Sequence, residues 1–416
     1  MLSKQIKSLA ERYLDHCNTL DSRYKLLHKL GEGRFGKVYL ALDLGNNELV
    51  AIKILRGACF RHQLVNFFSE IKHLVFLLDR ICCEEQLKAI RILDFNFEGR
   101  LNDCKSVAYY TMEYIELGEF YSFIEKSDFL SEDLARSFVK QLLSTIKLLH
   151  SHNVFHLDIK PENVLINERG ELYLCDFGNA LCYKRPKGIH WKNINFVGSM
   201  EYAAPEAYEL DIVKELNGAH DYIGSYDIGK LDIFSLGVLT FVLVVKSQPF
   251  GKAHDDDPFY KRLTTSKADF WKIFEGLRSS SNDFKEVVEH MMEPVSFERV
   301  NLDELIERKW LLGGSNKNGT KQELGTLLEQ RKQAFVKELL VSLEGRLTKR
   351  KQAMSNSKSY RYKDGEEMLK KFLIKNEKKL SKLKYKIDHH RKSTSGPAPV
   401  LESNTSADSS DNDIKF

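Results

Sequence analysis

The sequence predicts an α+β chain in two parts, a small β-rich N-terminal unit and a larger helical one. Three observations carry that prediction. From residue 24 to about 55, short apolar stretches separated by a glycine-rich turn read as strands in YKLLHKLGEGRFGKVYLALD and LVAIKIL. After Gly118 the apolar spacing shifts to three and four residues and stays there. The longest apolar run, IFSLGVLTFVLVV at 233–245, is too short to cross a bilayer and reads as a buried core helix.

Taken in order, residues 1–16 form a short helix with Ile6, Leu9, Tyr13 and Leu14 on one side. Three strands follow. Residues 62–79 are helical, because Leu64, Phe67, Phe68, Ile71, Leu74, Val75 and Leu78 recur on one face. AIRILDFNF and VAYYTMEYI add two strands. Helices are predicted at 118–126 and 131–152, the second capped by Ser131, with Leu134 leaving the capping box incomplete. GGSNKNG reads as a linker, and residues 321–352 and 365–388 as basic amphipathic helices around the polar SNSKSYRY. The end of the chain is disordered by composition. The division is then a helical extension at 1–23, a main domain at 24–312, a linker at 313–320, a basic helical region at 321–392 and an acidic, Ser-rich tail at 393–416.

Composition narrows the class. The 416 residues are 42% hydrophobic, enough to build a sizeable core. Seven cysteines without a CxxC pair predict reduced thiols and a cytoplasmic or nuclear protein. The first 16 residues lack the apolar stretch of a signal peptide, and Leu2 stands where myristoylation needs glycine. The net charge of +4 is unevenly spread: residues 317–392 hold 22 Lys and Arg against 9 Asp and Glu, while the body before them is mildly acidic. No recognised DNA-binding module accompanies the basic region, and no transmembrane segment is predicted.

Gly31, Gly33 and Gly36 lie between two strands, which argues against a dinucleotide fingerprint, since that requires a helix after the glycines. A glycine-rich hairpin can instead close over phosphates; taken alone, it is as readily an ordinary hairpin. Further pieces follow in order: Lys53 in AIK on the third strand, and Glu70, the sole acid between 54 and 78, on the amphipathic helix. Then come HLDIKPENVL at 156–165, LYLCDFG at 172–178 and EYAAPE at 201–206. Across roughly residues 24–312 these motifs resemble the eukaryotic protein kinase family, of serine/threonine type.

The resemblance implies a bilobed protein-kinase fold with ATP and Mg2+ as cofactors, and protein substrates phosphorylated in signalling. It casts Asp158 as the catalytic base, Lys160 as the partner of the γ-phosphate, and Lys53 paired to Glu70 as the grip on the α- and β-phosphates. Asn163 and Asp176 would hold the metal. The nucleotide would lie among Leu30, Gly31, Glu32, Gly33, Arg34, Phe35, Gly36, Lys37, Val38, Ala51, Glu113, Ile115, Glu119 and Leu165. Met112 resembles the gatekeeper. Leu74, Leu93, His156 and Phe177 resemble the apolar stack that joins the lobes. Asp232 resembles the aspartate that fixes the catalytic-loop backbone, and Glu206 should pair with Arg299. The chemistry suits these types, because a highly charged phosphoryl group is stabilised by positioned cations and hard oxygen ligands. His150 and His152 read as helix-end residues, and Cys175 as a small packed side chain.

Lys160 and Ser199 follow the serine/threonine pattern, and Glu119 with Glu162 suggests a basic substrate context. Leu157 departs from the family, in which an arginine often stands before the catalytic aspartate and receives an activation-loop phosphate. The segment between Phe177 and Gly198 contains no Ser or Thr, and its one hydroxyl is Tyr183. Together these predict an enzyme that needs no Ser/Thr phosphorylation in that loop. Control is then sought at 321–392, where Phe335, Leu339, Leu343 and Leu347 share a face. Three uses stay open for it: a solvated or coiled-coil helix, an intramolecular dock that inhibits, or a site for calmodulin or an anionic membrane.

Overall fold

The computed structural model describes residues 2–33, 36–55, 61–81, 87–103, 105–182, 198–208, 227–314, 316–353 and 363–394. The N-terminal lobe is built on β1 (Asn18–Leu20), β2 (Tyr24–Glu32), β3 (Gly36–Asp43), β4 (Glu48–Leu55), β5 (Ile92–Leu101) and β6 (Lys105–Glu113). They close into an antiparallel barrel in the order β1-β2-β3-β4-β6-β5, joined at its seam by Leu20 opposite Leu101. Alternation along the strands sends Leu26, Val50, Ile52, Val107 and Tyr109 into one cluster and leaves Ala51 and Met112 in the main core. The start of β3 lies tight on β4. A side chain at Gly36 would put its Cβ 2.5 Å from the Ile54 carbonyl oxygen, so only glycine fits.

α1 (Leu2–Glu11) buries Leu2, Ile6 and Ala10, and a 3₁₀ turn at Leu14–His16 follows it. The N-terminal extension is therefore not wholly helical. β1 forms inside it because Asn18–Leu20 pairs with β2, a short polar segment with no strand signal of its own. α2 (Arg61–Arg80) lays the predicted apolar face on the barrel and the core beneath. One sequence expectation fails here. Leu93 packs against the smaller barrel cluster, whereas Ile92 lies in the main core with Leu74 and Phe177. A register shift between Ile92 and Asp94 breaks the strand's alternation at this point.

The second lobe starts with α3 (Phe120–Glu125) and α4 (Glu132–Ser151). Ser131 caps α4 by accepting the Leu134 amide at 3.2 Å. Four short strands, β7 (Val154–Phe155), β8 (Val164–Ile166), β9 (Leu172–Leu174) and β10 (Leu181–Cys182), carry the loops of the cleft. α5 (Gly229–Val245) is the apolar run, buried almost throughout because it runs through the lobe's core. Around it stand α6 (Pro258–Thr265), α7 (Lys267–Glu275), α8 (Asn282–Met291), α9 (Leu302–Ile306) and α10 (Lys309–Leu312). Arg299 is fully buried and clamps Glu206 with two bonds of 2.7 and 2.9 Å. No helix among the described residues is long and apolar enough to cross a membrane.

Two long helices complete the chain, α11 (Lys317–Ala353) and α12 (Lys363–Thr394). The linker is shorter than predicted, because Asn316 caps α11 by accepting the Gly319 amide at 2.9 Å and starts the helix inside it. A solvated helix is excluded by the packing: Phe335, Leu339 and Leu343 are 2%, 0% and 0% exposed. At about 1.5–3 kcal/mol for each fully buried side chain, that seat is substantial. Leu347 has its side chain outside the described set. α11 lies on α1, α4 and β2, bridging the two lobes, and α12 lies on α2 and β5.

Candidate active site

The cleft between the lobes gathers most of the predicted site. Leu30, Gly31, Glu32, Gly33, Gly36, Val38, Ala51, Lys53, Glu70, Met112, Glu113, Ile115, Glu119, Asp158, Lys160, Asn163, Leu165 and Asp176 all line it. Arg34 and Phe35 lie outside the described residues, as do Tyr183 and most of the Ser/Thr-free segment around it. Lys37 does not line the cleft. Its ammonium turns to Glu32 at 3.8 Å, because alternation on β3 points it away from its neighbour Val38.

The lower wall is set by Asp232 at the start of α5. Its carboxylate accepts the backbone amides of His156 at 2.9 Å and Leu157 at 2.8 Å, and meets His150 Nε2 at 2.8 Å. Burial opposes its charge, yet the His150 contact, the nearby His156 ring and these bonds hold its pKa below the usual carboxylate range. The tethered turn places Leu157 at φ +61°, a left-handed conformation that is uncommon for a leucine, with its side chain buried. Next to it, Asp158 faces the cleft. Lys160 Nζ reaches Asp158 Oδ2 at 3.2 Å and donates to Ser199 Oγ at 2.5 Å, while the Ser199 amide donates to Asp158 Oδ1 at 3.0 Å. Asn179 Nδ2 approaches Asp158 Oδ2 at 3.5 Å.

Asn163 spends its amide nitrogen on Asp158, with bonds of 2.8 Å to the carbonyl and 2.9 Å to the carboxylate. That orientation leaves the amide oxygen to meet a cation. Asp176, at φ +58°, accepts the Gly178 amide at 3.3 Å and stands 3.9 Å from Lys53. Two hard oxygen donors of this kind fit Mg2+. Among the described residues no cluster of three or more His, Cys, Asp or Glu is arranged for a metal, so phosphate and water oxygens would complete its shell.

On the upper wall Lys53 Nζ meets both Glu70 oxygens, at 2.7 and 2.8 Å. Burial opposes the Lys53 charge, but the Asp176 and Glu70 carboxylates outweigh it and hold its pKa above normal. Burial pushes Glu70 up against the pull of Lys53. Burial also raises the Cys175 thiol far above its ordinary value, which leaves it a packing group.

Sequence reading missed four participants. Tyr110, opposite Lys53 across the β4–β6 ladder, donates its hydroxyl to Glu70 at 2.7 Å. His73, one helical turn after Glu70, bonds the Phe177 carbonyl at 2.8 Å through Nδ1. That i, i+3 spacing was the available signal. Arg331 and Phe335 of α11 reach the outer edge of the cleft. Arg331 Nε donates to the Leu117 carbonyl at 3.1 Å, and the Phe335 ring stands 6.0 Å from His28 and 6.4 Å from Tyr114. Nothing in sequence spacing reveals where a remote helix docks.

A family model described as the protein kinase domain matches residues 24–311. The chain belongs to the protein kinase family. Among its relatives are CBL-interacting protein kinases 5 and 19 of Oryza sativa subsp. japonica, 30% and 31% identical over 71% and 70% of this chain and 57% and 51% of theirs. CBL-interacting serine/threonine-protein kinase 12 of Arabidopsis thaliana is 29% identical over 70% of this chain and 53% of its own. The chain spans about half the length of the curated relatives it matches.

Proposed function

We propose that this kinase transfers the γ-phosphate of ATP to serine and threonine hydroxyls of protein substrates. The observation that carries the reading is the triangle of Asp158, Lys160 and Ser199, with Lys53 held by Glu70 across the cleft. Adenine would lie between Val38 and Ala51 above and Leu165 below, against the Glu113–Ile115 backbone. Lys53 would meet the α- and β-phosphates and Lys160 the γ-phosphate. Asp158 would accept a hydrogen bond from the acceptor hydroxyl and take its proton as the phosphoryl group transfers. Asn163 and Asp176 would hold Mg2+, which neutralises charge on the phosphates and orients them.

The acid pair Glu119 and Glu162 favours a substrate with basic residues near the acceptor. Burial and the Glu162 charge push Glu119 up, which a cationic side chain would relieve. Leu157 supports independence from activation-loop phosphorylation, since a buried leucine offers a phosphate no cation. Use of 321–392 by calmodulin or a membrane would require Phe335, Leu339 and Leu343 to leave their buried seat. The packing favours the intramolecular dock.

The test is incubation of the purified chain with radiolabelled ATP, Mg2+ and a basic peptide library, with phosphoamino-acid analysis. Phosphoserine and phosphothreonine are expected as products. They should be absent with Asp158→Ala and should still form when the enzyme is dephosphorylated by a broad phosphatase, and the phosphatase removed, before the assay. Phosphotyrosine as the main product would overturn the specificity. Loss of activity on dephosphorylation would overturn the regulatory reading.

A further inference from the structure

Glu70 can hold Lys53 only while α2 keeps its place, and of the elements packed on that helix two stand on opposite sides of it. On its inner side His73 bonds the Phe177 carbonyl, tying α2 to the segment that carries Asp176. On its outer side lies α12, which runs alongside it in the same chain direction. The Phe372 ring packs edge-on against Phe68 at 5.6 Å and lies tilted against Phe97 of β5 at 5.9 Å. Fourteen residues further on, Lys386 pairs with Asp79 near the C-terminal end of α2 at 2.6 Å. Lys384 holds β5 through the Asp94 carboxylate and the Phe95 carbonyl, and Ile387 is buried in the main core.

Phe68 lies two residues from Glu70, so the two side chains leave α2 on different sides. A ring wedged against Phe68 from outside therefore presses the Glu70 side toward Lys53. We propose that Phe372 is a positioning residue for phosphotransfer: through Phe68 it holds α2 where Glu70 engages Lys53, so that α12 is an activating brace in the same chain. This rests on the kinase reading above. It differs from an autoinhibitory dock, because α12 sits on the back of α2 and, among the described residues, supplies none to the cleft. The pair it supports is worth bracing. Glu70 is buried on the helix, and its alignment with Lys53 fixes where the phosphates lie.

The experiment is a double-mutant cycle in the full chain with Phe372→Ala, Glu70→Gln and both together, reading kcat, KM for ATP and melting temperature. Misplacing one phosphate-binding group should lower kcat roughly ten- to a hundredfold in Phe372→Ala. Adenine contacts are untouched, so KM for ATP should move less than about threefold. If Phe372 acts through Glu70, the double variant loses little beyond Glu70→Gln alone. Phe372→Leu, which keeps an apolar wedge, should recover most of the activity, and it carries the same cycle should alanine unfold the lobe. A merely structural role would instead multiply the two losses and follow the melting temperature. Three results overturn the inference: activity of Phe372→Ala within about twofold of wild type, full multiplicativity, or a rise in activity, which would make α12 an inhibitor. An inactive wild-type chain would instead refute the kinase reading, and the brace with it.

Discussion

Replacing Glu206 by alanine would strand the most deeply buried cation among the described residues of the second lobe. The Arg299 guanidinium is fully buried, bonded twice to Glu206 and stacked 4.9 Å from the Phe234 ring. It also donates to the carbonyls of Glu293 at 2.9 Å and Lys230 at 2.8 Å. Those carbonyls satisfy N–H groups but carry no full negative charge. Removing the carboxylate therefore leaves an uncompensated buried charge, costing about 3–5 kcal/mol. Urea unfolding followed by tryptophan fluorescence reads it directly, since Trp271 and Trp310 lie buried in the same lobe. With an m-value of about 3 kcal/mol/M, the midpoint should fall by roughly 1–2 M. Glu206→Gln, which keeps one acceptor oxygen, should fall less. A loss below about 1 kcal/mol for Glu206→Ala would refute the reasoning and show that the carbonyl cradle alone holds the cation.

Three further outcomes follow from the same geometry. Burial depresses the His73 imidazole to about 4 despite its bond to the Phe177 carbonyl. With the folded pKa below the unfolded one, its stabilisation is complete above about 6.5 and is lost as pH falls toward 4, by about 3 kcal/mol. His73→Asn should remove that part of the acid slope in urea titrations at pH 7, 5.5 and 4, and an unchanged slope would contradict the assignment. Leu157→Arg exchanges a buried apolar side chain for a cation that must leave water. A loss of about 2–4 kcal/mol in the same assay is expected, and a neutral result would show that the cation escapes to solvent. Gly36→Ala drives a methyl into the Ile54 carbonyl oxygen. It should raise KM for ATP several-fold by distorting the hairpin, and an unchanged KM would show that the hairpin gives way freely.

Most of the cleft was legible in the sequence because phosphotransfer ties residue types to fixed local spacings. Asp158, Lys160 and Asn163 lie within six residues, and Asp176 ends the next short hairpin. The partner of Lys53 was legible too, since Glu70 is the sole acid between 54 and 78. Errors arose where tertiary contacts decide. Asn18–Leu20 becomes a strand by pairing with β2 and β5, not by propensity. Leu93 left the main core because a register shift reversed its face. The stripe of Phe335, Leu339 and Leu343 left a solvated helix and a docked one equally open, and only the packing decides between them. Phe372 carried no signal at all, because its role exists only against Phe68 and Phe97.

Asp158→Asn offers the most direct test of the central claim. Asparagine keeps the shape of the side chain and an oxygen for the Ser199 amide, but it cannot accept the substrate proton. In the full chain, kcat for peptide phosphorylation should fall by about 10²–10⁴, with KM for ATP within roughly threefold and melting temperature unchanged. Retention of more than about a tenth of the wild-type kcat would contradict the assignment of Asp158, and with it the account of the cleft as a phosphotransfer site.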